Sequence, residues 1–432
     1  MLVRLADAQK LEHDGQFELA ESIYQEVSRE WPTCATALQR LAYFALKRGT
    51  IERAIGLLES ATAACPERGP PYFDLAVALL ADGRTEDAIA RVELGVARVP
   101  TFAPLWLILG ELRSSTGNRF GALKAWNRAI SMAQRNGQWR DADTTAPALL
   151  ESVLNAIEQL RLGRRELLFG LLDELRVKFG GRTLVRVEKA LRGYFGDPSV
   201  APTDSRQRPR FLFIPDLPSE PYLDPCLQPW SNKLRDGFES VRMEALAVAR
   251  DDGNLADFIR LRHGDSIRNY LGGSTPAPSW EAFFFYRHGQ KYDDNFVKCP
   301  RTGELLESIE TCKIADHAPE ICFSVLRPGT HILPHRGVTN SRVVMHLPLV
   351  VPSDCALNIV GVGARQWKEA ELLMFDDTFE HEAWNRSSST RIILLMDCWN
   401  PHLDSAERDA IGVIIETIGA WHHGGRPGSE AT

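Results

Sequence analysis

The sequence predicts two fold classes in series: a helical solenoid, followed by a β sandwich or barrel. Two observations carry this. Small and apolar residues recur every 34 positions through residues 1–136. Beyond residue 206, short runs of β-branched and aromatic residues alternate with Gly and Pro turns. Residues 137–205 lie between them, helical in pattern but out of that register, and read as a cap and linker. A chain of 432 residues accommodates two or three such domains.

The repeat shows in several registers at once. Ala8, Ala42, Ala76 and Gly110 are small residues at one repeat position, and Ala20, Ala54, Ala88 and Ala122 at another. Small residues let the two helices of a hairpin approach closely. Gly15, Gly49, Gly83 and Gly117 mark the turn between helices, where positive φ is often needed. Tyr24, Leu58, Val92 and Trp126 supply a bulky apolar residue, and Pro32, Pro66 and Pro100 stop the second helix. The pattern resembles the tetratricopeptide repeat. Such repeats bury their apolar faces only by stacking, and the stack leaves a concave groove suited to a peptide or protein partner.

Residues 144–195 keep helical spacing. Leu149 to Leu160, Leu167 to Leu175 and Leu184 to Leu191 predict three further helices. Gly196-Asp-Pro-Ser then breaks the pattern. In the second domain, Arg210 to Pro215 predicts an opening strand and Asn254 to Arg262 a helix. Trp280–Tyr286, Cys322–Leu326, Arg342–Val350, Ala356–Val360, Glu371–Phe375 and Arg391–Trp399 predict strands.

Composition narrows the function. The net charge of −7 argues against nucleic-acid binding and against a polybasic membrane contact. No apolar run is long enough to predict a membrane span, and charge interrupts the start before a signal-peptide core forms. The eight cysteines contain no C-x-x-C pair and read as reduced thiols of a cytoplasmic protein.

Three polar anchors stand in short β-rich segments: His335, His381 and Arg391. Two histidines far apart in sequence, each beside a turn, can meet at one metal if the strands roll into a barrel. An Arg opening a strand ten residues after the second His can reach the same cavity. This set suits a non-haem Fe(II) centre whose cosubstrate carries a carboxylate.

The surrounding motifs are Pro-Gly-Thr-His331-x-x-Pro-His335-x-Gly337, Thr-Asn340-x-Arg342, Met-His346-Leu, Phe-Asp376-Asp377-x-Phe-Glu380-His381-Glu382-x-Trp384, and Arg391 leading to Asp397-x-Trp399-x-Pro401. On these residues, from near Phe211 to near Leu403, the chain resembles the aspartyl/asparaginyl β-hydroxylases, which are Fe(II)- and 2-oxoglutarate-dependent dioxygenases. The resemblance implies a double-stranded β-helix, or jelly roll. It implies His335 and His381 as metal ligands, and Arg391, His346 and Ser324 as the 2-oxoglutarate site. It also implies a reaction with O2 that yields succinate, CO2 and a hydroxylated C–H position. The expected substrate is an Asp- or Asn-like residue in a polypeptide delivered by the repeat groove. A free amino acid, an acyl chain, and a non-catalytic jelly-roll module remain as alternatives.

Two positions depart from the simplest pattern. The usual facial triad has Asp or Glu two residues after the first His, where this chain has Gly337, as the family also tolerates. Water would fill that place unless Asp376 or Asp377 turns inward; both read as groups that orient His381 or close a turn. The family often carries an Arg two residues before the His of its central strand, where this chain has Val344. Arg342 remains, one further step along the same face. His331 reads as structural, and Trp280, Trp384 and Trp399 as core or cleft wall.

Overall fold

A computed structural model describes residues 1–180, 184–261 and 264–423. Backbone packing divides the chain into two units, Met1–Glu166 and Leu167–Thr432.

In the first unit the 34-residue period becomes four helical hairpins. They pair Leu2–His13 with Phe17–Glu30, Ala35–Lys47 with Ile51–Ala64, Gly69–Ala81 with Thr85–Arg98, and Ala103–Ser115 with Arg119–Arg135. Ala8, Ala42 and Ala76 on the first helices and Ala20, Ala54, Ala88 and Ala122 on the second are fully buried, so no side chain holds the pairs apart. Tyr24, Leu58, Val92 and Trp126 are buried too, each contributing on the order of 1.5–3 kcal/mol by leaving water. The four turn glycines all adopt positive φ, between 75° and 80°. Phe73, Val77, Leu80, Leu107 and Ile108 line a cavity of about 330 Å3 with Glu111, Ala148, Leu149 and Ser152.

The two helices predicted at 149–160 and 167–175 are one continuous helix, Pro147–Phe179. Gly163 is not a break. There the helix passes so close to Leu123 that a Cβ would overlap its methyl groups. The sequence-derived breaks at 136/137 and 205/206 fall on either side of the packing boundary, which lies inside this helix.

The second unit holds two antiparallel sheets. In the larger, Leu373–Phe375, Arg342–Val350, Arg391–Trp399, Ile321–Leu326 and Trp280–Arg287 lie side by side in that order, with Tyr222–Leu223 and Ala256–Asp257 at the edges. In the smaller the order is Gly363–Gln366, Cys355–Ile359, His381–Asn385, Thr330–His335, Leu271–Gly273. From Ile321 onward the chain alternates between the sheets, with one hairpin at 355–366 inside the smaller. That is the strand order of a jelly roll. Leu326, Ile332, Val344, Leu357, Phe375 and Ala383 pack in one cluster between the sheets. The helices Phe238–Ala249 and Pro300–Glu307 cover the outer face of the larger sheet through Val241, Ala245, Val248 and Leu306.

Two local expectations are corrected. Residues 210–215 form no regular strand: Asn340 takes both the N–H and the C=O of Ile214, at 2.7 and 2.8 Å, leaving only a bridge from Leu212 to Thr339. Residues 254–261 form no α-helix. Ala256–Asp257 pairs instead with the strand Trp280–Arg287, and the Phe258 N–H reaches the Trp280 carbonyl. Arg262 lies outside the described residues.

Candidate functional site

The jelly roll brings His335 and His381 directly opposite each other. His335 ends its strand, His381 begins the neighbouring one, and the two are register partners. Their rings are 4.2 Å apart between centroids. Each Nδ1–H donates to the carbonyl two residues earlier, Leu333 and Phe379, both at 2.9 Å. This fixes the tautomer and leaves each Nε2 with a lone pair. Burial lowers the basicity of His335, and burial followed by the His335 charge pushes His381 down to about 3. Both are therefore neutral near pH 7, as a metal donor must be.

Beside them lies a cleft of about 290 Å3 that they share with Ser324, His346, Arg391, Arg342, Val344, Trp280, Trp367 and Asp377. Arg391 is 1% exposed, and burial pushes its guanidinium down to about 10. It lies 5.0 Å over the Trp367 ring and donates to Ser324 Oγ at 3.4 Å, while its Nε has no partner. Trp280 Nε1 also donates to Ser324 Oγ, at 2.8 Å. Trp367 Nε1 donates to His346 Nδ1 at 3.2 Å. An indole N–H can only donate, so Nδ1 is the acceptor and the His346 proton sits on Nε2. That Nε2 is buried and unpartnered. Burial, with Arg391 and then His381, holds His346 well below the ordinary imidazole range. The result is a row of donors, from Arg391, His346 and Ser324, with capacity for an anion beside the histidine pair.

At Gly337 a Cβ would overlap the Asp377 carboxylate. Asp377 thus occupies the space that a side chain at 337 would need. Its Oδ1 is buried without a partner, and burial pushes the carboxyl up to about 7. Asp376 instead closes the turn, accepting from Thr378 N–H, Thr378 Oγ1 and Gln207 Nε2. Among the described residues no three His, Cys, Asp or Glu side chains converge as a metal cluster. The arrangement is two facing histidines, with the Asp377 carboxylate lying against Gly337.

Arg342, Val344 and His346 all line the cleft, as their shared strand face predicts. Arg342 is bound to Asp397 at 2.6 Å. His331 lies outside the cleft and pairs with Glu382 at 2.7 Å. Sequence reasoning missed Trp367, which acts across 21 residues from just past the end of the strand Gly363–Gln366. It also missed Arg287, His288, His317 and Glu320, which line the outer end.

Two antiparallel sheets in jelly-roll order thus set the histidine pair beside a donor-lined cleft. A family model described as Aspartyl/Asparaginyl beta-hydroxylase matches residues 235–401, and a tetratricopeptide repeat model matches 45–112. Aspartate beta-hydroxylase domain-containing protein 2 of Rattus norvegicus is 33% identical over 257 residues, which is 59% of this chain and 71% of the relative. The Homo sapiens protein of the same name is 32% identical, over 59% of this chain and 66% of its own length. Aspartyl/asparaginyl beta-hydroxylase of Homo sapiens is 35% identical over 182 residues, 42% of this chain and 22% of the relative. The chain belongs to the aspartyl/asparaginyl β-hydroxylase family.

Proposed function

We propose that this protein is an Fe(II)- and 2-oxoglutarate-dependent hydroxylase acting on a residue within a polypeptide. The observation that carries the reading is the pairing of two neutral imidazoles, each with a free Nε2, with a buried set of donors lining the same cleft. The residues present fit both groups. His335 and His381 would hold the metal, with water completing the place beside Gly337. Arg391 would fork onto one carboxylate of 2-oxoglutarate, a pairing that a planar guanidinium favours. The Ser324 hydroxyl and the His346 Nε2–H would donate to the same ligand. Iron bound there supplies the oxidation in which O2 and 2-oxoglutarate yield succinate, CO2 and a hydroxylated C–H position.

The chain's own residues do the rest. Leu333 and Phe379 carbonyls orient the metal-binding rings. Trp367 and Trp280 direct the donors of His346 and Ser324 into the cleft. The apolar walls Val344, Phe375 and Ile393 limit water around the reacting position. The repeat groove, with Phe73, Val77 and Leu80 facing its cavity, supplies a surface for an extended segment, and remote contacts of that kind raise local concentration and orient the target bond. No described helix is long and apolar enough to cross a membrane.

The test is succinate release from the purified full chain loaded with Fe(II), in the presence of polypeptide. Release that depends on 2-oxoglutarate and on both histidines supports the reading. Tight polypeptide binding without any succinate makes the chain a binding module.

A further inference from the structure

The repeat groove changes character along the array, and residues one period apart show it. Gln39, Phe73 and Leu107 share one register of the 34-residue period, and Tyr43, Val77 and Glu111 share another. In the second hairpin these positions are taken up by local partners. Gln39 donates to Asp74 at 2.6 Å, and Arg40 and Lys47 lie over the Tyr43 ring, 4.6 and 5.6 Å from its centre. In the third and fourth hairpins the same registers are open. Phe73, Val77 and Leu80 share a cavity of about 330 Å3 with Leu107, Ile108 and Leu149. Leu107 and Ile108 are buried, whereas Val77 is 42% exposed, so water reaches the cavity wall there.

Glu111 lines the same cavity. Its situation differs from that of Glu12, which shares the register of Leu80 and accepts two hydrogen bonds from Arg40, at 2.9 and 2.5 Å. Among the described residues Glu111 has neither an ion pair nor a hydrogen bond, although it is half-buried. Asp74, in the register of Ile108, is held by the neutral Gln39 and forms no ion pair among the described residues. Burial raises the Asp74 carboxyl, against the Gln39 hydrogen bond and the Arg40 charge.

We propose that the third and fourth repeats dock a peptide segment in which a large apolar residue stands beside a Lys or Arg, the apolar side chain entering the cavity between Phe73 and Leu107 and the cation pairing with Glu111. The proposal deepens the reading above by naming what the groove recognises, and it rests on that reading only for the statement that the groove receives an extended segment.

Area and charge together select this occupant. Covering a wetted apolar wall is favourable in proportion to the area removed from water. The cavity lies at the low end of the size range of ligand pockets, ~300–1,000 Å3, so it admits a side chain rather than a folded surface. An acidic neighbour on the segment would set like charges together in a partly dry setting. A neutral segment would cover Glu111 and leave its carboxylate desolvated without a partner. An acyl chain with an anionic head meets the same objection as an acidic peptide. A Lys or Arg supplies the missing partner, and its alkyl stem adds contact with the apolar wall. Asp74 biases the groove in the same direction.

The experiment selects a random peptide library displayed on phage against the full chain, held free of metal and 2-oxoglutarate so that docking is read apart from turnover. Selection runs in parallel on Glu111→Lys and Val77→Asp, and thermal melting confirms that each variant is folded. If Val77→Asp melts early, Glu111→Lys alone decides. The wild type should enrich Leu, Met or Phe beside Lys or Arg. Glu111→Lys should enrich the same apolar residues beside Asp or Glu, and Val77→Asp should lose the apolar requirement. Synthetic peptides selected on the wild type should bind Glu111→Lys about tenfold more weakly by calorimetry, the lost pair and the new repulsion each contributing roughly threefold. No enrichment over the unselected library, acidic neighbours enriched on the wild type, or the same sequences enriched on every chain overturns the proposal. Light scattering reads the other occupant: a wild-type dimer that Val77→Asp dissolves puts a second copy in the groove and overturns it too. Succinate release tests the hydroxylase separately. Its absence leaves a successful selection standing, and a failed selection leaves the iron and 2-oxoglutarate reading standing.

Discussion

At the inner end of the cleft the donors are held by neutral neighbours, whereas at the outer end charge faces charge. Backbone carbonyls orient His335 and His381, and indole N–H groups orient His346 and Ser324. Among the described residues Arg391 forms no ion pair with a carboxylate, and it keeps its Nε unspent. The outer end instead sets Arg342 against Asp397 and Arg287 beside Glu320. Neutral orientation leaves full charge available for a ligand and does not change near pH 7. Charge-on-charge orientation costs less when the cleft is empty, but it makes the site respond to protons.

Mutations should separate the two plans. The largest effect is expected for His335→Ala and His381→Ala. Each removes one of two imidazole donors that no third side chain can replace, so succinate release should vanish while the melting temperature stays close to wild type. Residual turnover near the wild-type rate would break the assignment. Next comes Arg391→Ala. Losing a buried charge-assisted pair costs about 2–4 kcal/mol, or roughly 30- to 1000-fold in the KM for 2-oxoglutarate. An unchanged KM would move that carboxylate to Arg342.

Trp367→Phe is smaller and more diagnostic. It keeps the aromatic wall but removes the hydrogen bond that holds the His346 proton on Nε2, at about 1 kcal/mol or roughly fivefold in KM, with kcat preserved. Long-range 15N–1H correlations of the His346 ring should show a single tautomer in the wild type and a mixture in the variant. The same tautomer in both would sink the role given to Trp367. The smallest effect is expected in the repeat groove. Val77→Asp should lower kcat/KM for a polypeptide substrate by a few-fold and leave the KM for 2-oxoglutarate unchanged. No change in either would remove the groove from substrate delivery.

The sequence was legible where the determinants are local or lie in compact motifs. The repeat period alone placed the four hairpins, because helical contacts recur at short separation. The inner end was readable because His335, His346, His381 and Arg391 sit within a few dozen residues in distinctive strings. The outer end was not, and Arg287 shows why. Strict alternation along Trp280–Arg287 puts it with Phe283 and Phe285, which face the core. An irregularity between Phe284 and Tyr286 shifts the register and turns Arg287 onto the Phe284 face, where it lies 4.3 Å over that ring. Such a slip leaves no mark in the order of residues. Trp367 was invisible for a related reason: its partner is brought beside it only by the fold.

The overlap between position 337 and the Asp377 carboxylate has an evolutionary consequence. In the orientation Asp377 adopts, its carboxylate fills the volume that a side chain at 337 would enter. A lineage that gained an acidic ligand at 337 in a single step would clash with Asp377, and one that first shortened residue 377 would lose a buried carboxyl with nothing yet to replace it. Each single change passes through a handicapped intermediate. A side chain at 337 therefore requires the Asp377 carboxylate to swing aside, which ties the tolerance of one position to the residue at the other.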